Sequence, residues 1–343
     1  MKKPLLKPPP GNGEIMFLPG VEPFSDTLRI AHRVTTCHQL VFFHPGIAIR
    51  FHLINALGAV GRILFMDIDR TVLQARVPCR GGGSRVFSLA SSGRPLCQGP
   101  TVGIDGQERF FREVREELVR CAGKAQVEAY EKYVQIYMAQ DWDMPLRERL
   151  AESFVRYSGI DTPYVFISGL LAGGDFRDFF QRILGEAHRF RDVYNRALDW
   201  YGEKFRFRYR NFPFPRLKRG ELPFWILGES GRYQFNADRF DSQDLRRCTV
   251  LPKASPLTLF LRLYHCDLFV HGVGGANYEW VNDRIAEEFF GVELQPFFIL
   301  SATFHLNEIP ERDFPYFFMA PLELKNRLRA HLSRSGWAAP WFS

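Results

Sequence analysis

The chain has 343 residues, 46% hydrophobic and 15% aromatic, with 33 Phe and a formal charge of +7. That is enough apolar material for one large α/β domain or two smaller ones, and it excludes a disordered chain. No run nears the roughly 20 apolar residues that span a bilayer, so no membrane partner is expected.

The basic start Met1-Lys2-Lys3-Pro4 lacks the apolar segment of a secretory signal. Six scattered Cys form no disulfide framework, which points to reduced thiols and a cytoplasmic location. Residues 1–24, rich in Pro and Gly, read as an irregular arm. The first half of a core occupies 25–77. It holds a strand at Arg33 to Cys37, a loop through His44, a helix opened by Pro45 and ended by Gly58, and a strand at Arg62 to Met66 running into Asp67-Ile68-Asp69. This is a β-α-β unit with an expected right-handed parallel crossover.

Residues 78–160 read as an inserted subdomain: a short β element at Arg85 to Leu89 between glycine-rich loops, then helices near 107–122, 125–140 and 145–158. The second half of the core, 161–343, opens with a strand at Tyr164 to Ser168. A turn and an Asp175 N-cap then lead into one long helix to about Tyr201. Lys204 to Arg210 alternates cations with Phe205, Phe207 and Tyr209, a strand period. Pro223 to Leu227 and Arg232 to Phe235 read as a hairpin around Glu229-Ser230-Gly231. Next come an apolar helix, a strand at Cys266 to Val270, the turn His271 to Gly275, a helix to Phe290 capped by Gly291, and a strand at Phe297 to Thr303. A last helix is expected at 321–333. Alternating strands and helices predict a Rossmann-like α/β fold: a mainly parallel sheet with helices on both faces, plus the inserted helical and β subdomain.

Ligands in such sheets bind beyond the carboxyl ends of strands. Two turns meet that description, provided the strands at 33–37 and 266–270 are neighbours. One holds Thr36, Cys37, His38, Gln39, His44 and Gly46; the other holds His271, Gly272, Gly274, Gly275, Asn277 and Tyr278. Main-chain N–H groups at a helix start favour an anion. His38 and His44 are candidates to stabilise phosphate charge, Asp67 and Asp69 to hold a polar co-substrate or Mg²⁺, and His271 is a further catalytic candidate. Ser301 and Thr303 complete the set.

Other chemistry is also spelled out. An apolar strand followed by Asp67-Ile68-Asp69-Arg70-Thr71-Val72 resembles the first motif of haloacid-dehalogenase-type phosphatases, in which paired Asp serve as nucleophile and general acid around Mg²⁺. It also resembles the D-x-D site of nucleotide-sugar transferases. His265, Cys266, Asp267 and His271 lack metal-ligand spacing, so no metal centre is assigned. The Arg206/Arg208/Arg210 stripe would suit an RNA- or protein-binding module, but a solvated strand face explains it better, and nucleic acid is disfavoured as a partner.

Several stretches together resemble the bacillithiol-biosynthesis cysteine-adding enzymes. That family's T-G-Q-Q-x-G-L stretch aligns with Thr36 to Phe42, where Thr36 and Gln39 match while Cys37 and His38 depart. Its D-H-D strand end aligns with Asp67-Ile68-Asp69. Its G-G-P-x-E-x-A-Y turn aligns with His271 to Tyr278, where Gly272 and Tyr278 match and Gly275 replaces the Glu. Its S-A-T aligns with Ser301-Ala302-Thr303, and the Arg expected just before is Ile299. The blocks cover about 33–77 and 220–306, without the family's coiled-coil arm. His44-Pro45-Gly46 is similar to a shortened H-x-G-H motif of nucleotidylyl transfer. The resemblance implies a ligase or nucleotidyltransferase on a nucleotide-binding core, with ATP or a related nucleotide as cofactor, Mg²⁺ as its companion, and an anionic small molecule as substrate.

Overall fold

The structure, a computed structural model, describes residues 15–19, 31–40, 45–78, 84–99, 102–205, 214–228, 231–240 and 248–302. His44, Thr303, the Arg206/Arg208/Arg210 stripe, the helix expected at 321–333 and the arm before Ile15 lie outside the described residues.

The first elements along the chain are β1 (Ile15–Pro19), β2 (Val34–Gln39), α1 (Pro45–Ala56), β3 (Gly61–Met66), β4 (Arg70–Pro78) and β5 (Ser84–Pro95). Next come α2 (Ile104–Cys121), α3 (Lys124–Met138), α4 (Leu146–Ser158), β6 (Tyr164–Phe166), α5 (Ile167–Leu171), α6 (Gly174–Gly185) and α7 (Ala187–Phe205). Last are β7 (Glu221–Gly228), β8 (Gly231–Asn236), β9 (Thr249–Pro252), α8 (Ala254–Tyr264), β10 (Leu268–His271), α9 (Val273–Ile285) and β11 (Phe297–Ala302).

The main sheet runs β1-β11-β10-β2-β3-β6, so β2 and β10 are neighbours. Parallel pairing sets Val270 opposite Phe298 and Leu64 opposite Val165. With its flanking helices this is the expected Rossmann-like α/β fold. The chain divides into two compact units, one built mainly on Thr36–Ile167 and the other mainly on Ser168–Ile299.

In the Thr36–Ile167 unit, α1 buries Ala48, Ile49, Phe51, Leu53 and Ile54. The turn out of α1 needs Gly58 at φ 59°. At Gly61 a Cβ would stand 2.2 Å from the Ile54 carbonyl oxygen, so only glycine lets β3 start this close to the helix. Phe65 on β3 packs against Phe51, Phe154 and Tyr164 with ring centroids 5.2–5.9 Å apart.

The short β element expected at 85–89 is one arm of a longer structure. β4 and β5 form a two-stranded antiparallel ribbon, with Ala75 opposite Phe87. Leu73, Ala75 and Val77 are buried while Gln74 and Arg76 face out, a strand alternation that begins directly after Asp69. The helices α2, α3 and α4 lie within three residues of their expected positions, because each shows an apolar stripe at helical spacing.

In the Ser168–Ile299 unit, the single long helix expected to Tyr201 is two helices. α6 starts after Gly173, not at an Asp175 cap, and ends at Gly185. Glu186 at φ −121° and ψ 37° breaks the path before α7. The expected strand at 204–210 is corrected at its start, since Lys204 and Phe205 close α7. The strand expected to run to Ser168 stops at Phe166, and Ile167 begins a helix. β8, β7 and β9 form an antiparallel sheet in that order, which contains the expected hairpin.

After α9 the backbone passes through a π-helical turn, Ala286–Phe290, closed by Gly291 at φ 71°. The turn keeps two consecutive phenylalanines buried. Phe289 meets Phe190 of α7 at 5.0 Å, and Phe290 stacks on Phe179 of α6 at 5.7 Å.

Candidate functional site

In the Thr36–Ile167 unit the polar residues gather where β2 and β3 end. β3 ends at Met66, and the next residue, Asp67, is a fully buried carboxylate. It is held from two directions. Its main-chain oxygen accepts from the Cys97 N–H at 2.8 Å, and its Oδ2 accepts from Arg147 Nη1 at 2.9 Å. Asp69 is held similarly: its main-chain oxygen accepts from the Leu96 N–H at 3.1 Å, and its Oδ2 accepts from Gln39 Nε2. The turn Leu96–Gln98 that follows β5 thus straps the Asp67-Ile68-Asp69 segment in place.

Burial pushes the Cys37 thiol up to about 12, with the Arg50 charge working against it and Asp69 and Asp67 adding to the rise. A thiol that stays protonated is a poor nucleophile. Burial, reinforced by Arg50, pushes the His38 imidazole down to about 3, so it is neutral at pH 7. His38 therefore offers hydrogen bonds, not the positive charge expected for it; its Nδ1 lies 3.2 Å from the Gln39 carbonyl oxygen. Thr36 is buried within β2, and Gly46 lies in the first turn of α1.

Beside this cluster lies a cavity of about 380 Å³, lined by Cys97, Gln107, Trp142, Asp143, Arg147 and Arg149 among others. It opens at the start of α4, whose N-cap is Pro145 and carries no side-chain cap. Arg149 is 3% exposed. Its Nη2 donates to the Trp142 and Met144 carbonyls at 2.6 and 3.2 Å, its Nη1 donates to Gln107 Oε1 at 3.2 Å, and its guanidinium stacks on Trp142 at 4.2 Å. Arg147 lies over the Phe166 ring at 4.9 Å while reaching Asp67. Burial raises the Cys97 thiol to about 11, with Asp67 adding and Arg147 opposing. None of Arg50, Cys97, Trp142, Arg147 and Arg149 is singled out by sequence motifs.

The other group of expected residues sits in the Ser168–Ile299 unit. His271 ends β10, Gly272 is the N-cap of α9, and Gly274 and Gly275 are already helical. The turn expected through Gly275 is therefore shorter by three residues. None of these glycines has a left-handed φ. The room left by the missing Cβ of Gly275 is taken by the His271 ring: a Cβ there would lie 1.6 Å from its Cε1.

His271 Nε2 lies 3.2 Å from the Tyr278 hydroxyl and 3.5 Å from Glu279 Oε1. Glu279 belongs to a buried polar network. Arg262 donates to Glu279 Oε2 at 2.8 Å, to Asp283 Oδ1 at 2.7 Å and to the Gln295 carbonyl at 2.7 Å. Asn282 joins Glu279 to Thr258, and Ser255 donates to Asn282. Burial pushes the Glu279 carboxyl up, partly offset by Arg262. Burial works against the Arg262 charge as well, but Glu279 and Asp283 outweigh it and hold the guanidinium protonated. Asn277 is buried, and Ser301 lies in β11.

Gln39 thus meets Asp69 in one unit, and His271 meets Tyr278 in the other. Among the described residues no group of three or more His, Cys, Asp and Glu side chains converges as a metal set, and no helix is long and apolar enough to cross a membrane. No protein-family model matches the chain, and no curated protein matches it in sequence.

Proposed function

We propose that the chain is an enzyme that binds a nucleotide or another anionic metabolite at the carboxyl ends of β2 and β3. Its reaction would lie near those of ligases and nucleotidyl- or phosphoryl-transfer enzymes, as the likeness to cysteine-adding enzymes implies. One observation carries the reading: Arg147 both lines the cavity and grips Asp67 at the end of a parallel strand. That puts a cation, a buried carboxylate and a partly open cavity side by side. A bound nucleotide would supply the phosphoanhydride that makes a carboxylate reactive. Arg147 would hold phosphate oxygens, Asp69 and Gln39 would orient a polar co-substrate, and neutral His38 would accept or donate a hydrogen bond.

The donor set fits phosphate oxygens better than a bare metal ion, because Asp67 and Asp69 already engage Arg147 and Gln39. The same engagement supports the phosphatase reading less well, since a nucleophilic Asp has to reach its phosphorus. Calorimetric titration with ATP and ADP, with and without Mg²⁺, tests the proposal. Heat is expected for at least one of them and is expected to weaken in Arg147→Gln. No heat for any of them, with Arg147→Gln indistinguishable from wild type, removes the reading.

A further inference from the structure

We propose that the cavity at the start of α4 takes the phosphoryl group of a small phosphorylated metabolite, and that Arg147 leaves Asp67 to bind it. This rests on the reading above and narrows it to one ligand chemistry and one moving side chain. At about 380 Å³ the space is near the lower end of ligand pockets, which run roughly 300–1,000 Å³. A mononucleotide or sugar phosphate fits that scale; a dinucleotide does not.

The charge of the walls is the second argument. Arg149 is almost wholly buried and pinned by Gln107 and the Trp142 and Met144 carbonyls, so its position is fixed. Its charge is therefore a fixed part of the cavity wall. The first turn of α4 adds the positive end of a helix dipole. Asp143 opposes these charges from the rim, where it is exposed and solvated.

Arg147 is the movable part. Its side chain is 27% exposed and touches Asp67 through one nitrogen, while its other terminal nitrogen is 3.6 Å from Glu148. A phosphoryl dianion offers that guanidinium a bidentate partner of higher charge than the Asp67 carboxylate.

Cys97 is a built-in reporter: it lines the cavity and is only half-buried, and because its raised pKa leaves little thiolate, its labelling is slow and is followed as a rate. Maleimide labelling of the full chain, read peptide by peptide by mass spectrometry, follows it directly. Inorganic phosphate and 5′-AMP are each expected to slow Cys97 labelling, with Cys248 unaffected as internal control. Arg147→Gln should weaken that protection about tenfold in concentration, the scale of one charge-assisted hydrogen bond. Asp67→Asn, which removes the Asp67 charge that holds Arg147, should move it the opposite way; a protein that had merely misfolded would not bind more tightly.

Unchanged Cys97 labelling at saturating phosphate overturns the proposal, as does protection that survives Arg147→Gln. Protection by malonate without protection by phosphate overturns the phosphoryl assignment in favour of a carboxylate. Equal protection by chloride at matched ionic strength means an adventitious ion only. ATP heat with no protection of Cys97 sinks this inference and spares the broader reading, while protection without nucleotide heat does the reverse.

Discussion

Gly275→Ala tests how closely His271 is packed. The substitution is made in the third residue of α9, where φ is not left-handed, so backbone strain does not enter. Alanine there gains up to about 1 kcal/mol of helix propensity over glycine. Against this, the new methyl would lie 1.6, 2.4 and 2.5 Å from three atoms of the imidazole. The ring cannot yield cheaply. It is buried, edge-on to Phe269 at 5.3 Å and to Tyr278 at 5.4 Å, with Glu279 Oε1 3.5 Å from its Nε2. Overpacking of this kind costs about 1–3 kcal/mol, so a net loss of about 1–2 kcal/mol is expected. Urea unfolding followed by far-UV circular dichroism measures it. In a His271→Ala background the obstacle is gone, and the same change should be neutral or stabilising by up to about 1 kcal/mol. If Gly275→Ala is neutral or stabilising in the wild-type background, the packing argument is wrong.

Other outcomes are equally specific. Gly61→Ala should cost more than Gly275→Ala in the same unfolding assay, because its methyl meets the Ile54 backbone oxygen, which has no rotamer to change. Arg262→Leu should destabilise by about 3–5 kcal/mol by leaving Glu279 buried without its cation. The double change Arg262→Leu/Glu279→Leu should recover much of that loss; no recovery would mean that the pair is not the cause. His38 predicts a pH effect. Its pKa is lowered from 6.5 to about 3 on folding, so below pH 6.5 the unfolded chain binds a proton that the native chain refuses. Its contribution is lost as pH falls from about 6.5 towards 3, by about 1.5 kcal/mol between pH 6.5 and 5. His38→Gln should flatten that part of the wild-type profile, and parallel profiles would contradict it.

The sheet was readable because its strands are short apolar runs separated by strong punctuation such as Pro45, Gly58 and Gly291. The ribbon was not. Val72 to Val77 alternates cleanly, but it follows an acidic strand end without any turn residue, so it passed for the tail of the preceding motif. The break between α6 and α7 had a signal in Gly185, masked by an apolar pattern that continues on both sides. The candidate site was half legible. Asp67, Asp69 and Gln39 follow core strands, where polar residues stand out. Arg147 stands 80 residues beyond Asp67, in Leu146-Arg147-Glu148-Arg149, which reads as the solvated start of a helix. Glu279 and Arg262 were missed because charged residues on apolar helices are ordinarily assumed to face water. Gly272, Gly274 and Gly275 stand out in the sequence as a group, but the steric reason for Gly275 depends on where His271 points.

The wide turn at Ala286–Phe290 has a consequence for how this helix tolerates change in length. It holds one residue more per hydrogen-bonded ring than α-helix does. Deleting a single residue there would let the helix regularise without loss of a backbone bond. It would also rotate everything after the deletion by about 100°, so Phe289 and Phe290 could no longer reach Phe190 and Phe179 together. A one-residue deletion that looks conservative by helix rules would thus unpick the aromatic seam between three helices, whereas the same deletion in a solvent-facing loop would pass unnoticed.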